Sequence, residues 1–379
     1  MSPQLKNRMD RLEEALGALS QEIKKGDLVE KISAESRLEP ASAAWSLRKW
    51  LESIRRADIE LLVNSAKREG SPAWNVTTLA PGNVPVVAAE CLLLGYLAGF
   101  SHCLALSRRA SIVARTLFSC LLKQDPSASE TTRLVIWQEL PEELQQKTLS
   151  SSDCVAVYGQ AETVELVHSM IPPSARLVPH GPSLAAAYLP AQNTICTSLR
   201  KQLDALAHDV LAFDQRGCRS PHILFVEGSR EWGQKIYTLL SERSFPRAAQ
   251  ALPNGPLMEE EVQALYLDRL TSLSLGQAVS GEGWLLNFEP SPYIPRTAPP
   301  GRAFRVLSVP GTPAMVSLLE SLHAPVGLLL TPDGAPVKTL TSSLDGTEVL
   351  SFGSAHASPF CRLHDGRHRL DELLPSAEK

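Results

Sequence analysis

Apolar residues recur at three- and four-residue spacing through the first sixty positions, as Leu12, Ala15, Leu16 and Leu19 and again as Trp50, Ile54, Leu61 and Leu62. That period predicts amphipathic helices, and their polar faces carry charges of both signs. Ser71-Pro72 breaks the pattern. From Asn75 onward, short apolar runs alternate with helix-like stretches. Val76–Leu79, Cys103–Leu106, Leu134–Trp137, Cys154–Tyr158 and Leu184–Tyr188 predict strands; Pro85–Ala98, Ser111–Lys123 and Glu162–Met170 predict the helices between them. Alternation at this spacing implies an α/β unit with a mostly parallel sheet covered by helices. Such a sheet offers a ligand crevice at the carboxyl ends of its strands.

A second α/β unit is expected from near Cys196. Ser198–Leu211 is amphipathic, His222–Val226 reads as a strand, and Glu231–Glu242 and Met258–Leu273 read as helices. Gly301–Pro310 predicts a strand, Thr312–Leu322 a helix and Pro325–Leu330 another strand. The proline-rich interval Glu289–Pro300 predicts a surface loop. No internal repeat or low-complexity tract interrupts this order.

Composition narrows the classes of function. The 379 residues carry 37 Lys plus Arg against 41 Asp plus Glu, a net charge of −4. That balance argues against a nucleic-acid binder or a polybasic membrane protein. The N-terminus is too charged for a secretory signal peptide. The most membrane-like stretch, Val84 to Phe100, is short for a span and carries Pro85 and Glu90, so a buried helix is expected and no membrane span. Seven cysteines without a Cys-x-x-Cys pair argue against a disulfide framework or a structural zinc site, and for a reducing, cytoplasmic setting.

One cysteine stands apart. Phe213-Asp214-Gln215-Arg216-Gly217-Cys218-Arg219-Ser220-Pro221-His222 follows a long helix and leads straight into a strand. A tight turn and two flanking arginines can expose a thiolate and lower its pKa, which makes a nucleophile. The competing reading is a small residue packed in a turn. Cys91, Cys103, Cys120 and Cys154 lie in apolar elements and read as packing; Cys196 and Cys361 are weaker candidates. Two further junctions resemble ligand turns, Leu79-Ala80-Pro81-Gly82-Asn83-Val84-Pro85 and Tyr158-Gly159-Gln160. Each joins a strand to a helix, whose N-terminal N–H groups favour anions. No GxGxxG or GxxxxGK[ST] motif accompanies them.

Taken in order, these segments resemble the aldehyde dehydrogenase superfamily. Pro81-Gly82-Asn83-Val84-Pro85 is similar to its Pro-x-Asn-x-Pro turn. Ala98-Gly99-Phe100 with Leu106-Ser107-Arg108-Arg109 falls where its Lys-Pro-Ser segment belongs, Tyr158-Gly159-Gln160 matches its Thr-Gly-Ser turn, and His180-Gly181-Pro182-Ser183 lies in its Glu-Leu-Gly-Gly segment. The closer resemblance is to the LuxC-like acyl-CoA reductases, the branch that supplies aldehyde to bacterial luciferase. That family is marked by Asp-Gln-x-x-Cys-x-Ser-Pro, here Asp214 to Pro221, and by a terminal His-Asp-Gly-Arg segment, here His364 to Arg367. The resemblance covers roughly residues 75 to 374.

The resemblance implies an aldehyde-dehydrogenase-like fold: an N-terminal helical segment (1–70), a nicotinamide-cofactor-binding domain (71–193), a catalytic domain with the cysteine (194–345) and a C-terminal segment returning to the active-site region (346–379). It implies an acyl-CoA or acyl-carrier-protein thioester as substrate and an aldehyde as product. Cys218 would be the nucleophile, and its backbone N–H with the Asn83 amide would hold the developing oxyanion. Pro81, Ser107, Arg108, Arg109, Gly159 and Gln160 would bind the cofactor. Ser107 stands where the family lysine meets the adenosine ribose, and the arginines after it suit a 2′-phosphate, so NADPH is expected over NADH. A homodimer is a family-level expectation.

The chain also departs from the hydrolytic dehydrogenases. Val178-Pro179-His180-Gly181 has no carboxylate to activate water, which favours reduction or transfer over hydrolysis. His180 is the candidate proton donor or base in its place. Gly301-Arg302-Ala303-Phe304-Arg305 lacks the glutamate that steadies the nicotinamide ribose. His364 and His368 lack an obvious third ligand, so no metal is expected. Two other functions stay open: a cysteine-dependent acyltransferase or thioesterase without hydride transfer, and a non-catalytic scaffold of the same fold.

Overall fold

The alternating pattern resolves into two parallel sheets in the computed structural model of the chain, which describes residues 3–66, 73–192, 194–289, 301–322, 325–333, 344, 346–364 and 366–375. Two units emerge: Met1–Pro40, Leu47–Pro182 and Pro359–Lys379 form the first, Ala41–Ser46 and Ser183–Ser358 the second.

The first unit opens with helices α1 (Pro3–Lys25), α2 (Asp27–Ser36), α3 (Pro40–Ser53, apart from its Ala41–Ser46 stretch) and α4 (Arg56–Ser65), ahead of any strand. The apolar stripe of α1, from Leu5 through Leu12 and Leu19 to Ile23, is buried as its period demands. There follow β1 (Asn75–Leu79), α5 (Val87–Ala98), β2 (Ser101–Leu106), α6 (Ile112–Gln124), α7 (Ala128–Thr131), β3 (Thr132–Ile136), α8 (Glu142–Ser150), β4 (Cys154–Tyr158), α9 (Ala161–Met170) and β5 (Arg176–His180). The strands lie in the order β3-β2-β1-β4-β5, all parallel. The direction of winding reverses between β1 and β4, which creates a crevice at their carboxyl ends.

The membrane-like stretch is α5, buried from Ala88 to Ala98. Among the described residues no helix is long and apolar enough to cross a membrane. Its one acid, Glu90, accepts from Trp50 Nε1 at 3.2 Å, Arg362 at 2.6 Å and Arg369 at 2.7 Å. Burial alone would raise the Glu90 carboxyl; the two guanidiniums reverse that and hold it down to about 2. The same residue thus fastens the C-terminal segment to the first unit.

The second unit runs β6 (Leu184–Leu189), α10 (Thr197–Leu211), β7 (Pro221–Glu227), α11 (Arg230–Leu239), α12 (Phe245–Ala251), α13 (Glu259–Leu275), β8 (Gln277–Gly281), β9 (Trp284–Glu289), β10 (Ala303–Val309), α14 (Thr312–Ser321), β11 (Val326–Thr331) and β12 (Glu348–Ser351). Its sheet has the order β12-β11-β6-β7-β10-β9-β8, parallel except for the β8–β9 hairpin. Leu199, Leu203, Leu206 and Val210 of α10 cover one face; Met315 and Leu319 of α14 cover the other. Back in the first unit, β13 (Leu363–His364) and β14 (Arg367–His368) form a short antiparallel pair.

Three boundaries differ from those expected. Leu184–Tyr188 belongs to the second sheet, because Ala185–Leu189 pairs with β7 on one side and Leu184–Ala187 with β11 on the other. The break therefore follows Pro182 rather than residue 193. The C-terminal stretch divides after Ser358, and residues 1–70 form no unit of their own, since Ala41–Ser46 joins the second unit and the rest the first. The expected loop over Glu289–Pro300 lies, beyond Glu289, outside the described residues.

Candidate active site

In the second unit, α10 ends at Leu211 and the chain must reverse into β7 within a few residues. It does so through three consecutive non-glycine residues in the left-handed region: Phe213 (φ 54°), Asp214 (φ 53°) and Gln215 (φ 57°). Each such residue costs on the order of 1–3 kcal/mol and persists only where its surroundings hold it. Asp214, fully buried, pairs with Arg302 at 2.6 Å and accepts the Gly255 N–H at 3.2 Å. Burial pushes the Asp214 carboxyl up and the Arg302 guanidinium down, each opposed by the other's charge. The Gln215 amide donates to the carbonyls of Pro221 and Ala303, both at 2.8 Å.

Cys218 follows, exposed, in the turn closed by the Ser220 N–H on the Gly217 carbonyl at 3.0 Å. Its flanking arginines each reach a carboxylate. Arg216 binds both oxygens of Glu261, at 3.1 and 3.3 Å. Arg219 donates to the Ala355 carbonyl at 2.7 Å, to Glu348 at 2.8 Å and to Ser358. Both guanidiniums are committed to carboxylates and serve to tie the loop down. The segment that receives Arg219 is itself held by buried Asp209, which accepts the N–H groups of Gly353 (2.6 Å) and Ala355 (3.2 Å). Burial pushes Asp209 up to about 7 against those two donors.

In the first unit, the expected cofactor residues gather at one edge of the sheet. Pro81 and Asn83 follow β1, Ser107, Arg108 and Arg109 follow β2, and Gly159 and Gln160 follow β4. These are the carboxyl ends flanking the switch point. Gly82 lies against Ser107, so that a Cβ there would collide with the serine hydroxyl. Gly159 is less tight, a Cβ there lying 3.0 Å from the Thr163 side chain, and its N–H donates to the His180 carbonyl at 3.2 Å. Gln160 then caps α9. Arg108 is exposed and pairs with Glu139 at 3.5 Å.

His180, at the end of β5, is buried. Its ring stacks on Tyr158 with centroids 4.2 Å apart and meets His364 edge-on at 4.3 Å. Burial, with the charges of Arg369 and Arg367, pushes His180 down to about 3. His180, His364 and Glu372 bring one donor atom each within 4.8 Å of one another. This is a third ligand that the spacing of His364 and His368 did not offer. His368 instead contacts Ser65 at 2.9 Å. The positive field of Arg369 and Arg367 opposes a divalent cation at His180.

The sequence reading missed the partners that make the cysteine loop rigid. Arg302 and Arg305, considered only as a cofactor segment lacking its glutamate, are buried: Arg302 binds Asp214, and Arg305 pairs with Asp268. The remaining cysteines divide largely as expected, with Cys91, Cys120 and Cys154 buried, Cys103 and Cys361 partly so, and Cys196 exposed. None of the seven cysteines is in a disulfide.

The two-sheet α/β fold is shared with solved aldehyde dehydrogenases. The chain superposes on aldehyde dehydrogenase 21 from Physcomitrella patens with a TM-score of 0.73 at 11% identity, covering 98% of this chain and 85% of that one. For the NADP-dependent glyceraldehyde-3-phosphate dehydrogenase of Bacillus halodurans the TM-score is 0.69 at 14% identity, with 93% and 79% covered. For the NAD-dependent benzaldehyde dehydrogenase of Corynebacterium glutamicum it is 0.70 at 10% identity, with 93% and 81% covered. At such identities the likeness concerns the fold. No curated protein matches the chain. The family profile of acyl-CoA reductase (LuxC) matches residues 14–375, and the chain belongs to that family: it is an enzyme, an acyl-CoA reductase that acts on an acyl thioester and forms an aldehyde.

Proposed function

We propose that the protein reduces an acyl thioester to an aldehyde through an acyl group carried on Cys218, with NADPH as the preferred reductant. The observation that supports this most directly is Cys218 itself, exposed in a loop whose neighbours are buried and fastened. The thiolate adds to the thioester carbonyl, and the carrier thiol leaves with the electron pair of the broken C–S bond. Reduction of the enzyme-bound thioester gives a thiohemiacetal, which collapses to free aldehyde and restores the thiolate. Capturing the acyl group covalently divides one difficult reduction into two easier steps. The carbonyl oxygen gains charge in each, and the Cys218 backbone N–H and the Asn83 amide are the proposed donors to it.

A nicotinamide cofactor, when bound, supplies the hydride. The residues at the β1–β4 switch point suit a dinucleotide. Glycine at 82 and 159 keeps the strand ends low, the start of α9 offers N–H groups to a pyrophosphate, and Arg108 and Arg109 follow β2. The arginines carry the preference for a 2′-phosphate. His180, with its pKa near 3, is neutral at physiological pH and is a poor base for water. That supports reduction rather than hydrolysis and revises the expectation of His180 as base.

The exposed Val262, Tyr266, Leu270 and Leu273 form a stripe at four- and three-residue spacing on α13, beside the edge strand β8. This supports a homodimer formed through the second unit.

Intact-protein mass spectrometry after incubation with acyl-CoA thioesters tests the reading. The expected result is an acyl mass on Cys218 that NADPH removes with release of aldehyde. An acyl mass that NADPH leaves in place would favour a transferase or thioesterase. Cys218→Ser turning over acyl-CoA and NADPH at the wild-type rate would refute the mechanism.

A further inference from the structure

We propose that the buried Asp214–Arg302 pair and the Gln215 amide are positioning residues for Cys218, holding a strained left-handed segment so that the thiol keeps a fixed line of approach to the acyl carbonyl. This rests on Cys218 being the nucleophile. Glycine would supply three positive φ angles without strain, yet the chain uses Phe213, Asp214 and Gln215. Their side chains are therefore required, and each has its own fastening on a different part of the second unit. Phe213 packs edge-on against His356, with ring centroids 5.3 Å apart. Asp214 reaches Arg302 and the Gly255 N–H. Gln215 spans the first residues of β7 and β10 through Pro221 and Ala303.

Arg302 extends the brace, donating to the carbonyls of Leu252 (2.7 Å) and Pro253 (3.1 Å). Beyond Gln215, Arg216 and Arg219 fasten the turn on both sides of the cysteine, through Glu261 and through Glu348 with Ala355. Only the turn around Cys218 emerges. Every residue from 213 to 216 has an anchor. The reacting sulfur gains from that because a misplacement of about 1 Å can cost on the order of 10²-fold in rate. None of the anchors need touch the acyl group; they act through the backbone.

The informative variant is Gln215→Gly, which accepts the positive φ while removing the amide. We expect kcat for acyl-CoA reduction to fall about 10- to 100-fold, with KM for acyl-CoA within about twofold and the thermal midpoint close to wild type. Arg302→Lys should retain more kcat than Arg302→Met, since it keeps the charge beside Asp214. Hydrogen exchange of the 216–220 amides should accelerate about tenfold or more in Gln215→Gly. Unchanged kcat and unchanged exchange in Gln215→Gly would overturn the proposal, as would a loss that falls wholly on KM. Wild-type protein that takes no acyl group at Cys218 would instead overturn the nucleophile assignment, while exchange would still report whether Gln215 orders the loop.

Discussion

The cysteine loop of the second unit and the strand ends of the first solve opposite problems. Around Cys218 the backbone is forced into left-handed geometry and held there by long side chains, among them a buried ion pair. At the ends of β1 and β4 the working positions are glycines, and their value is the absence of a side chain beside Ser107 and Thr163. The proposed nucleophile must be fixed, and anchors achieve that. The proposed cofactor, which enters and leaves, needs clearance and backbone N–H groups instead. Conservative changes should therefore do unlike damage in the two places.

The sharpest break of that comparison is Asp214→Ala. It leaves Arg302 buried without its carboxylate, and such losses cost about 3–5 kcal/mol. A matching fall in denaturant midpoint of the second unit is expected, with Cys218 no longer acylated. A variant as stable as wild type would show that the pair does not hold the loop. In the first unit the counterpart is Glu90→Gln, which strands two buried guanidiniums, Arg362 and Arg369. A loss of similar size is expected there, with protease access to the C-terminal segment as the readout.

Gly82→Ala should act differently. The added methyl meets Ser107, so the Kd for NADPH is expected to rise about tenfold or more, while acylation of Cys218 in the absence of NADPH stays within about twofold of wild type. Equal damage to both steps would erase the distinction between a cleared and an anchored site. A smaller effect belongs to Arg108→Ala and Arg109→Ala. Arg108 is exposed and its pair with Glu139 adds little to stability. The preference for NADPH over NADH should fall by about tenfold with thermal stability unchanged, measured as the ratio of kcat/KM values for the two reductants. A preference that survives both substitutions would remove the arginines from cofactor choice.

The comparison also explains what was legible in the sequence. The first sheet was readable almost strand by strand, since Val76–Leu79 and Cys154–Tyr158 are local apolar runs whose period carries the signal. β5 escaped because Pro179 interrupts it, a residue tolerated there at the edge of the sheet. The β8–β9 hairpin turns at Glu282-Gly283, with Gly283 at φ 70°, and the Gly-Glu-Gly stretch was a signal that could have found it. The motifs did locate an exposed cysteine before β7 and three segments at the ends of β1, β2 and β4. What no spacing could give was Arg302 beneath Asp214, or His364 and Glu372 beside His180. Those pairings join residues far apart in the chain, and only the folded chain brings them together.

The last test concerns the acid side of the stability profile, where both units hold buried histidines and His180 is the furthest displaced. His180 is pushed down to about 3 by burial and by Arg369 and Arg367, whereas an unfolded histidine titrates near 6.5. Above pH 6.5 neither state carries the proton and stability is complete. As pH falls from 6.5 toward 3 the unfolded chain binds a proton that the folded chain refuses, so stability declines by up to about 1.4 kcal/mol per pH unit for this group. His102 in the first unit and His222 and His356 in the second, each held near 4 by burial, add to the same slope. Below pH 4.5 Glu90 acts in the same direction, because its folded carboxylate resists protonation down to about 2. His180→Phe keeps a ring against Tyr158 and removes one titrating group. Its stability should therefore drop less than that of wild type between pH 6.5 and 5, by about one proton's worth of slope. A neutral His180 also means that the substitution should introduce or remove no limb near pH 6.5 in the rate of Cys218 acylation. A lost limb there would return His180 to acid–base work, and the first unit would then contribute chemistry as well as clearance.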